Sequence, residues 1–247
     1  MVIIKSFYDS IVLLSILIKM GVAPFHLWLL RLVEGLQIMP IVLMFTLTKV
    51  APLIILTFIN LRISLIITLT IIVGSIIGVN QSSTRKIIAY SSIFNIGLIL
   101  ISIKNNFIWF YYLIIYSLLL IIMLFMIYKL NIFYVNQTIM NEEFLINKLT
   151  FWLTLLSIGG LPPFLGFSIK LIVIEYRIDN IIIFNLIAII IFSLLVIFFY
   201  LRICYLSIIF FSVRQKWSLL SLNKISVIMI AINIVSLPLF ALTKIFY

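Results

Sequence analysis

Apolar residues run almost unbroken through eight stretches of the chain, and polar residues collect in the short gaps between them. The stretches are residues 11–30, 40–59, 63–79, 87–103, 107–128, 150–174, 181–201 and 225–243. About 20 apolar residues suffice for a helix to cross a bilayer, so the pattern predicts about eight transmembrane helices and an all-α integral membrane protein. The connectors around 129–149 and 203–224 are the longest, and neither could bury a core of its own. The expectation is therefore one polytopic membrane domain over 1–247, with internal insertion rather than a cleaved signal segment.

Two of the stretches interrupt themselves. Gly21 and Pro24 break the first, in "KMGVAPFHLWL", and Gly159, Gly160, Pro162 and Pro163 break the sixth, in "SIGGLPPFLGFSIK". Proline lacks a backbone donor and collides with the carbonyl four residues back. In lipid the freed groups must be satisfied by protein or water, so both breaks point to a hydrated interior. The broken spans are five apart and hence run in opposite directions, the relation of an inverted five-helix repeat whose discontinuous helices mark a transport path.

Composition sharpens this picture. The chain is 66% hydrophobic and 9% charged, with a mean hydropathy of +1.40, well outside the range of soluble domains. Its net charge of +11 comes from single basic residues scattered between and within apolar runs, not from a nucleic-acid footprint. Arg31, Arg85, Lys86, Lys129, Lys148, Arg202, Arg214, Lys216 and Lys224 fall on one side of the predicted topology, and Lys5, Arg62, Lys104, Arg177 and Lys244 on the other. The positive-inside rule puts the first group in the cytoplasm or matrix and both termini on the opposite face. The single cysteine, Cys204, excludes an intrachain disulfide and a cysteine-ligated cluster.

Three lysines remain, and all fall inside predicted spans: Lys19, Lys49 and Lys170. Lys49 lies midway along its span, roughly 14 Å from either end, beyond the reach of a snorkelling side chain. Each such charge costs about 2.5–3.5 kcal/mol on insertion scales. The six acids, Asp9, Glu34, Glu142, Glu143, Glu175 and Asp179, are expected in connectors or at span edges, so none would neutralise a lysine at mid-depth. Desolvation favours the neutral form of an amine, which suits a proton relay near neutral pH better than a structural ion pair. On residues alone, the reading is a membrane proton or ion transporter.

Five segments then fall into a familiar order: "KMGVAPFHLWL" at 19–29, "LTKVAPL" at 47–53, "GVNQSSTRKIIAYSSIFNIG" at 78–97, "SIGGLPPFLGFSIKLIVI" at 157–174 and "FFYLRICY" at 198–205. Together they resemble the NADH-ubiquinone oxidoreductase chain 2 family of mitochondrial complex I. The resemblance implies an antiporter-like fold of two inverted repeats, with a first, incomplete repeat over about 1–60, a second over about 63–201 and a C-terminal helix over about 225–243. It also implies that Lys19, Lys49 and Lys170 lie on a proton pathway, with His26 as a further candidate.

The implied function is that of a proton-translocating core membrane subunit in the inner mitochondrial membrane, with both termini on the intermembrane-space side. Redox chemistry is expected elsewhere: FMN, iron-sulfur clusters and ubiquinone belong to partner subunits, and the chain shows neither a glycine-rich nucleotide fingerprint nor cysteine ligands. The implied partners are other membrane-arm and accessory subunits and lipids including cardiolipin, with no nucleic acid. Members of the family also carry a glutamate upstream of the first lysine, on helices that this sequence lacks. Truncation, a shortened gene or a second polypeptide would each account for that. A subunit of a multi-subunit Na+/H+ antiporter and a non-pumping structural subunit are the alternatives.

Overall fold

The computed structural model describes residues 2–59, 64–140, 145–179, 183–214 and 224–234. Twelve helices form among the described residues: α1 Val2–Met20, α2 Leu27–Gly35, α3 Ile38–Phe45, α4 Leu47–Thr57, α5 Ser64–Val79, α6 Thr84–Ser102, α7 Asn106–Leu130, α8 Gln137–Met140, α9 Leu145–Gly159, α10 Leu165–Asp179, α11 Ile183–Arg214 and α12 Lys224–Ile234. Among the described residues, four stretches are long and apolar enough to cross a membrane: Ile38–Thr57, Thr84–Ser102, Phe107–Leu130 and Asn185–Ile209. Helix α5, equally apolar, is shorter. The first and sixth predicted spans are each divided into two half-helices, α1 with α2 and α9 with α10.

Helix α6 is the spine. From Ile87 to Ser102 every residue is buried, and α2, α5, α7 and α10 pack around it. A helix buried all round is what a many-sided apolar sequence requires. Its tightest partner is α5, because Gly74 and Gly97 let the two backbones approach: a Cβ on Gly74 would lie 2.7 Å from the Phe94 amide nitrogen, and one on Gly97 2.8 Å from Ile71 Cγ1. Small residues at such crossings are the usual means of close helix packing in lipid. Arg202 of α11 ties the end of α5 down, donating to the Val79 carbonyl at 2.6 Å and the Gln81 carbonyl at 2.8 Å. A cation there meets the negative end of the helix dipole.

Several boundaries differ from the sequence pattern. Helix α11 continues to Arg214, into the expected 203–224 connector, because the apolar run "ICYLSIIFFS" carries no helix breaker. The expected unbroken span at 40–59 is interrupted at Thr46, whose φ and ψ are −112° and −78°. Its hydroxyl donates to the Val42 carbonyl at 2.8 Å, a back-bond that competes with the helical ladder and bends it. Asp9 falls inside α1, half-buried, rather than in a connector, since the helix begins at Val2. Glu142 and Glu143, and the last part of the expected eighth span, lie outside the described residues.

Candidate functional site

The two helix breaks share a local design. Both read Gly-x-x-Pro-Phe, at Gly21, Pro24 and Phe25 and at Gly160, Pro163 and Phe164. Each glycine is left-handed, with φ +70° at Gly21 and +87° at Gly160, a conformation that costs a residue with a Cβ about 1–2 kcal/mol. Each closes the preceding helix by wrapping amides back onto its last carbonyls: Val22 N to Leu17 O at 3.1 Å, and Leu161 N to Leu156 O at 3.2 Å. The peptides Ala23–Pro24 and Pro162–Pro163 are both cis.

What then satisfies the remaining orphan carbonyls distinguishes the two. At the first break the Trp28 indole donates to Ile18 O at 2.9 Å. At the second, the ammonium of Lys170 donates to Gly159 O, so a cation caps the negative end of α9. Gly160 makes room for it, since a Cβ there would lie 2.9 Å from Lys170 Nζ and 2.8 Å from its Cδ. Gly166, in the first turn of α10, lets the second half-helix cross α9, because a Cβ would fall 1.7 Å from the Ser157 carbonyl oxygen. Lys170 is 6% exposed and stands 5.5 Å from the centre of the Phe94 ring on α6. In the shared register Arg31 takes the place of Lys170, and Arg31 is exposed.

Lys49 is the more isolated charge. It lies on α4 between the Thr46 kink and Pro52, is 4% exposed, and its Nζ has no hydrogen-bond partner. Two aromatic faces attend it, Phe45 at 5.0 Å and Tyr116 of α7 at 5.9 Å from Nζ to ring centre. Cation–π contacts in a desolvated site are worth about 2 kcal/mol, which offsets only part of the cost of a charge there. No ion pair reaches Lys49 or Lys170 among the described residues, whereas Lys86 pairs with Glu34; Lys148, expected in a connector, is also buried, in the first turn of α9.

Lys19 and His26 stand apart from these two. Lys19, expected to be buried, is exposed on the last turn of α1, because that face of α1 has no described helix against it. His26 is 8% exposed; its Nδ1 donates to Pro24 O at 3.1 Å and its ring lies 6.3 Å from that of Tyr90 on α6. Cys204 is buried and unpaired.

Near Lys49 and Lys170 lies a polar cluster that sequence reasoning missed. Tyr112 and Tyr116 of α7, Ser91, Ser92 and Asn95 of α6, and Tyr200 of α11 are all buried. The Tyr112 hydroxyl donates to Asn95 Oδ1 at 2.6 Å, and Asn95 Nδ2 donates to the Ser91 carbonyl at 2.8 Å, which fixes the amide. The Tyr116 and Tyr200 hydroxyls are buried in the same interior. The available signal was polarity out of place: an asparagine at the middle of an apolar span is expensive unless it serves something.

Residues 3–198 match the family described as NADH:quinone oxidoreductase/Mrp antiporter, TM. The NADH-ubiquinone oxidoreductase chain 2 of Anopheles gambiae is 36% identical over 242 residues, covering 94% of this chain and 70% of that protein. That of Locusta migratoria is 33% identical over 240 residues, with the same two coverages. Among solved structures, a chain of respiratory complex I from Thermus thermophilus shares the fold with a TM-score of 0.75 at 20% identity, covering 96% of this chain and 57% of that one. The chain thus spans about 70% of the length of those two relatives and a little over half of the Thermus chain.

Proposed function

The chain belongs to the NADH:quinone oxidoreductase/Mrp antiporter family and, within it, to the chain 2 proteins of NADH-ubiquinone oxidoreductase, and from that membership we propose that it is a proton-translocating membrane subunit of respiratory complex I. The observation that carries the reading is the pair Lys49 and Lys170: two amines buried in an apolar bundle, with no carboxylate paired with either among the described residues. A structural charge would be paired or reach the interface. A proton carrier instead needs an amine that can exist with and without its proton.

The parts divide the work accordingly. Lys170 in its protonated form is held by the Gly159 carbonyl at the end of α9; releasing the proton leaves a neutral amine that can still donate there but makes a weaker hydrogen bond without its charge, which couples protonation to the broken helix. Lys49 has no such anchor, and its charge is opposed by desolvation and supported by two ring faces. Lys19, at the rim of the first break, suits an entry or exit point rather than a buried station, and His26 beside Tyr90 would be a neighbour of that rim. Energy for the transfer would come from NADH oxidation in partner subunits that hold FMN, iron-sulfur clusters and ubiquinone.

Residence in the inner mitochondrial membrane belongs to the same proposal, supported by the animal relatives. The excess of Lys and Arg on one side of the predicted topology supports placing both termini in the intermembrane space. The sodium/proton antiporter alternative draws on the broader family description, whereas chain 2 proteins are the matched relatives.

Proton uptake driven by NADH, measured in vesicles carrying the assembled complex, tests this reading. Lys170→Met and Lys49→Met should each lower protons moved per NADH while the amount of assembled complex holds. Unchanged yield in both variants would refute it.

A further inference from the structure

The ends of α2, α5 and α7 and the start of α6 meet at one end of the bundle, and between them lies an open cavity of about 370 Å³. Glu34, Gln81, Ser83, Arg85, Lys86 and Phe133 line it. Small-molecule sites run from about 300 to 1,000 Å³, so the space exceeds what a single ion needs. Hydrogen bonds between the two connectors fix its walls: Thr84 N donates to Phe133 O and Val135 N to Ser82 O, both at 3.0 Å. Gln137 Oε1 accepts from Phe133 N at 2.6 Å and Tyr134 N at 3.1 Å, and Arg202 holds the Gln81 carbonyl. The cavity is pre-formed.

Its charges do not balance. Arg85 and Lys86 share it with one carboxylate, that of Glu34, which Lys86 takes in an ion pair. Arg85 spends Nη1 on the Glu34 carbonyl at 3.0 Å, and its guanidinium carbon lies 4.8 Å from the centre of the Phe133 ring. Its Nε–H is buried without a hydrogen-bond partner, and so is the Ser83 hydroxyl. Unsatisfied buried donors are costly, and two cations in the first turn of α6 also meet the positive end of its dipole. A ligand with anionic oxygens relieves both penalties at once.

Depth and surroundings select the source of that anion. The cavity lies where the spans over Thr84–Ser102 and Phe107–Leu130 reach their ends, the level of lipid phosphates. Helix α2 runs to it from the first break, and exposes Leu27, Trp28 and Leu32 on the way to Glu34. An apolar strip that leads to a cationic pocket matches an acyl chain below a phosphate. Basic pockets between transmembrane helices on the cytoplasmic or matrix side hold phospholipid headgroups, and the positive-inside count puts Arg85 and Lys86 on that side. We propose that this cavity binds the phosphate of an anionic phospholipid. Arg85 Nε and the Ser83 hydroxyl donate to its oxygens, Lys86 adds charge, and the acyl chains lie along α2. The site goes beyond the proton-carrier reading of the lysines and does not depend on it.

The test uses the assembled complex, stripped of lipid in mild detergent and titrated with photoactivatable phosphatidylglycerol or phosphatidylcholine, with crosslinks mapped by mass spectrometry. Phosphatidylglycerol should label α2 and residues 133–134 several-fold more than phosphatidylcholine, whose choline ammonium the pocket cations repel. Arg85→Gln and Ser83→Ala should each lower that labelling several-fold per assembled complex. Ser83→Ala removes a hydroxyl that has no internal partner, so it carries the test where Arg85→Gln, which also frees the end of α2, reduces complex content. Equal labelling by the two lipids, or full labelling in assembled Ser83→Ala and Arg85→Gln, overturns the site. Excess inorganic phosphate at constant ionic strength should leave the labelling in place, because it has no acyl chain to lie along α2. Displacement by inorganic phosphate would assign the cavity to a soluble anion and overturn the lipid.

Discussion

Lys49 and Lys170 differ in what surrounds the ammonium, and the difference dictates how each should respond to substitution. Lys170 donates to a helix-end carbonyl, and Gly160 supplies the space its side chain occupies. Gly160→Ala adds a left-handed strain of about 1–2 kcal/mol and forces the lysine off its carbonyl. Proton yield per complex in that variant should fall toward that of Lys170→Met, and full yield would show that the Gly159 contact is dispensable. Gly35→Ala is the matching control, since a Cβ there meets nothing within 4 Å; complex content and yield should both hold. At this scale the sequence was informative where a charge was out of place: Lys49 and Lys170 stand buried as expected. It was misleading for Lys19, because exposure depends on which helices lie against α1, and no pattern within α1 encodes that. Tyr116 and Tyr200 were silent, since tyrosine is at home both in a core and at a membrane interface.

Helices broke where glycine and proline coincide, so both discontinuities were legible down to the residues that make them. The Thr46 interruption was not, because threonine tolerates a span interior and the bend arises from its own hydroxyl bonding back to Val42. The reach of α11 past residue 203 was hidden for the opposite reason: Arg202 falls just past the expected 181–201 span, yet its guanidinium turns aside to cap α5. The half-helices of the second break cross at Gly166, with no room for a methyl group before the Ser157 carbonyl. Gly166→Ala should therefore separate α9 from α10 by a backbone shift and cost about 4 kcal/mol, the range of severe core lesions. Complex content on a native gel should drop several-fold; normal content would contradict the close crossing.

At the scale of the whole molecule, α6 gathers the candidate-site contacts within two turns: His26 at Tyr90, Lys170 at Phe94 and Tyr112 at Asn95. Around this spine the bundle remains one-sided, with Ile11, Leu14 and Ile18 of α1 exposed next to Lys19. Polar groups at the helix breaks and a rim lysine are poorly served by lipid, so the chain expressed alone should aggregate or be degraded; a monodisperse folded monomer in mild detergent would argue otherwise. The fold class and the pairing of breaks were readable from the chain because both are written in local residue chemistry. The buried polar cluster was not, since it is assembled from α6, α7 and α11, far apart in sequence. The central claim, that a buried amine hands on a proton, is tested most directly by proton translocation in Lys49→Met and Lys49→Arg side by side, normalised to assembled complex. Methionine removes the titrating amine, and arginine keeps a charge that does not release its proton, so the account predicts intact assembly and reduced pumping in both. Full pumping in assembled Lys49→Met, or normal pumping in Lys49→Arg with assembly lost in Lys49→Met, would contradict it.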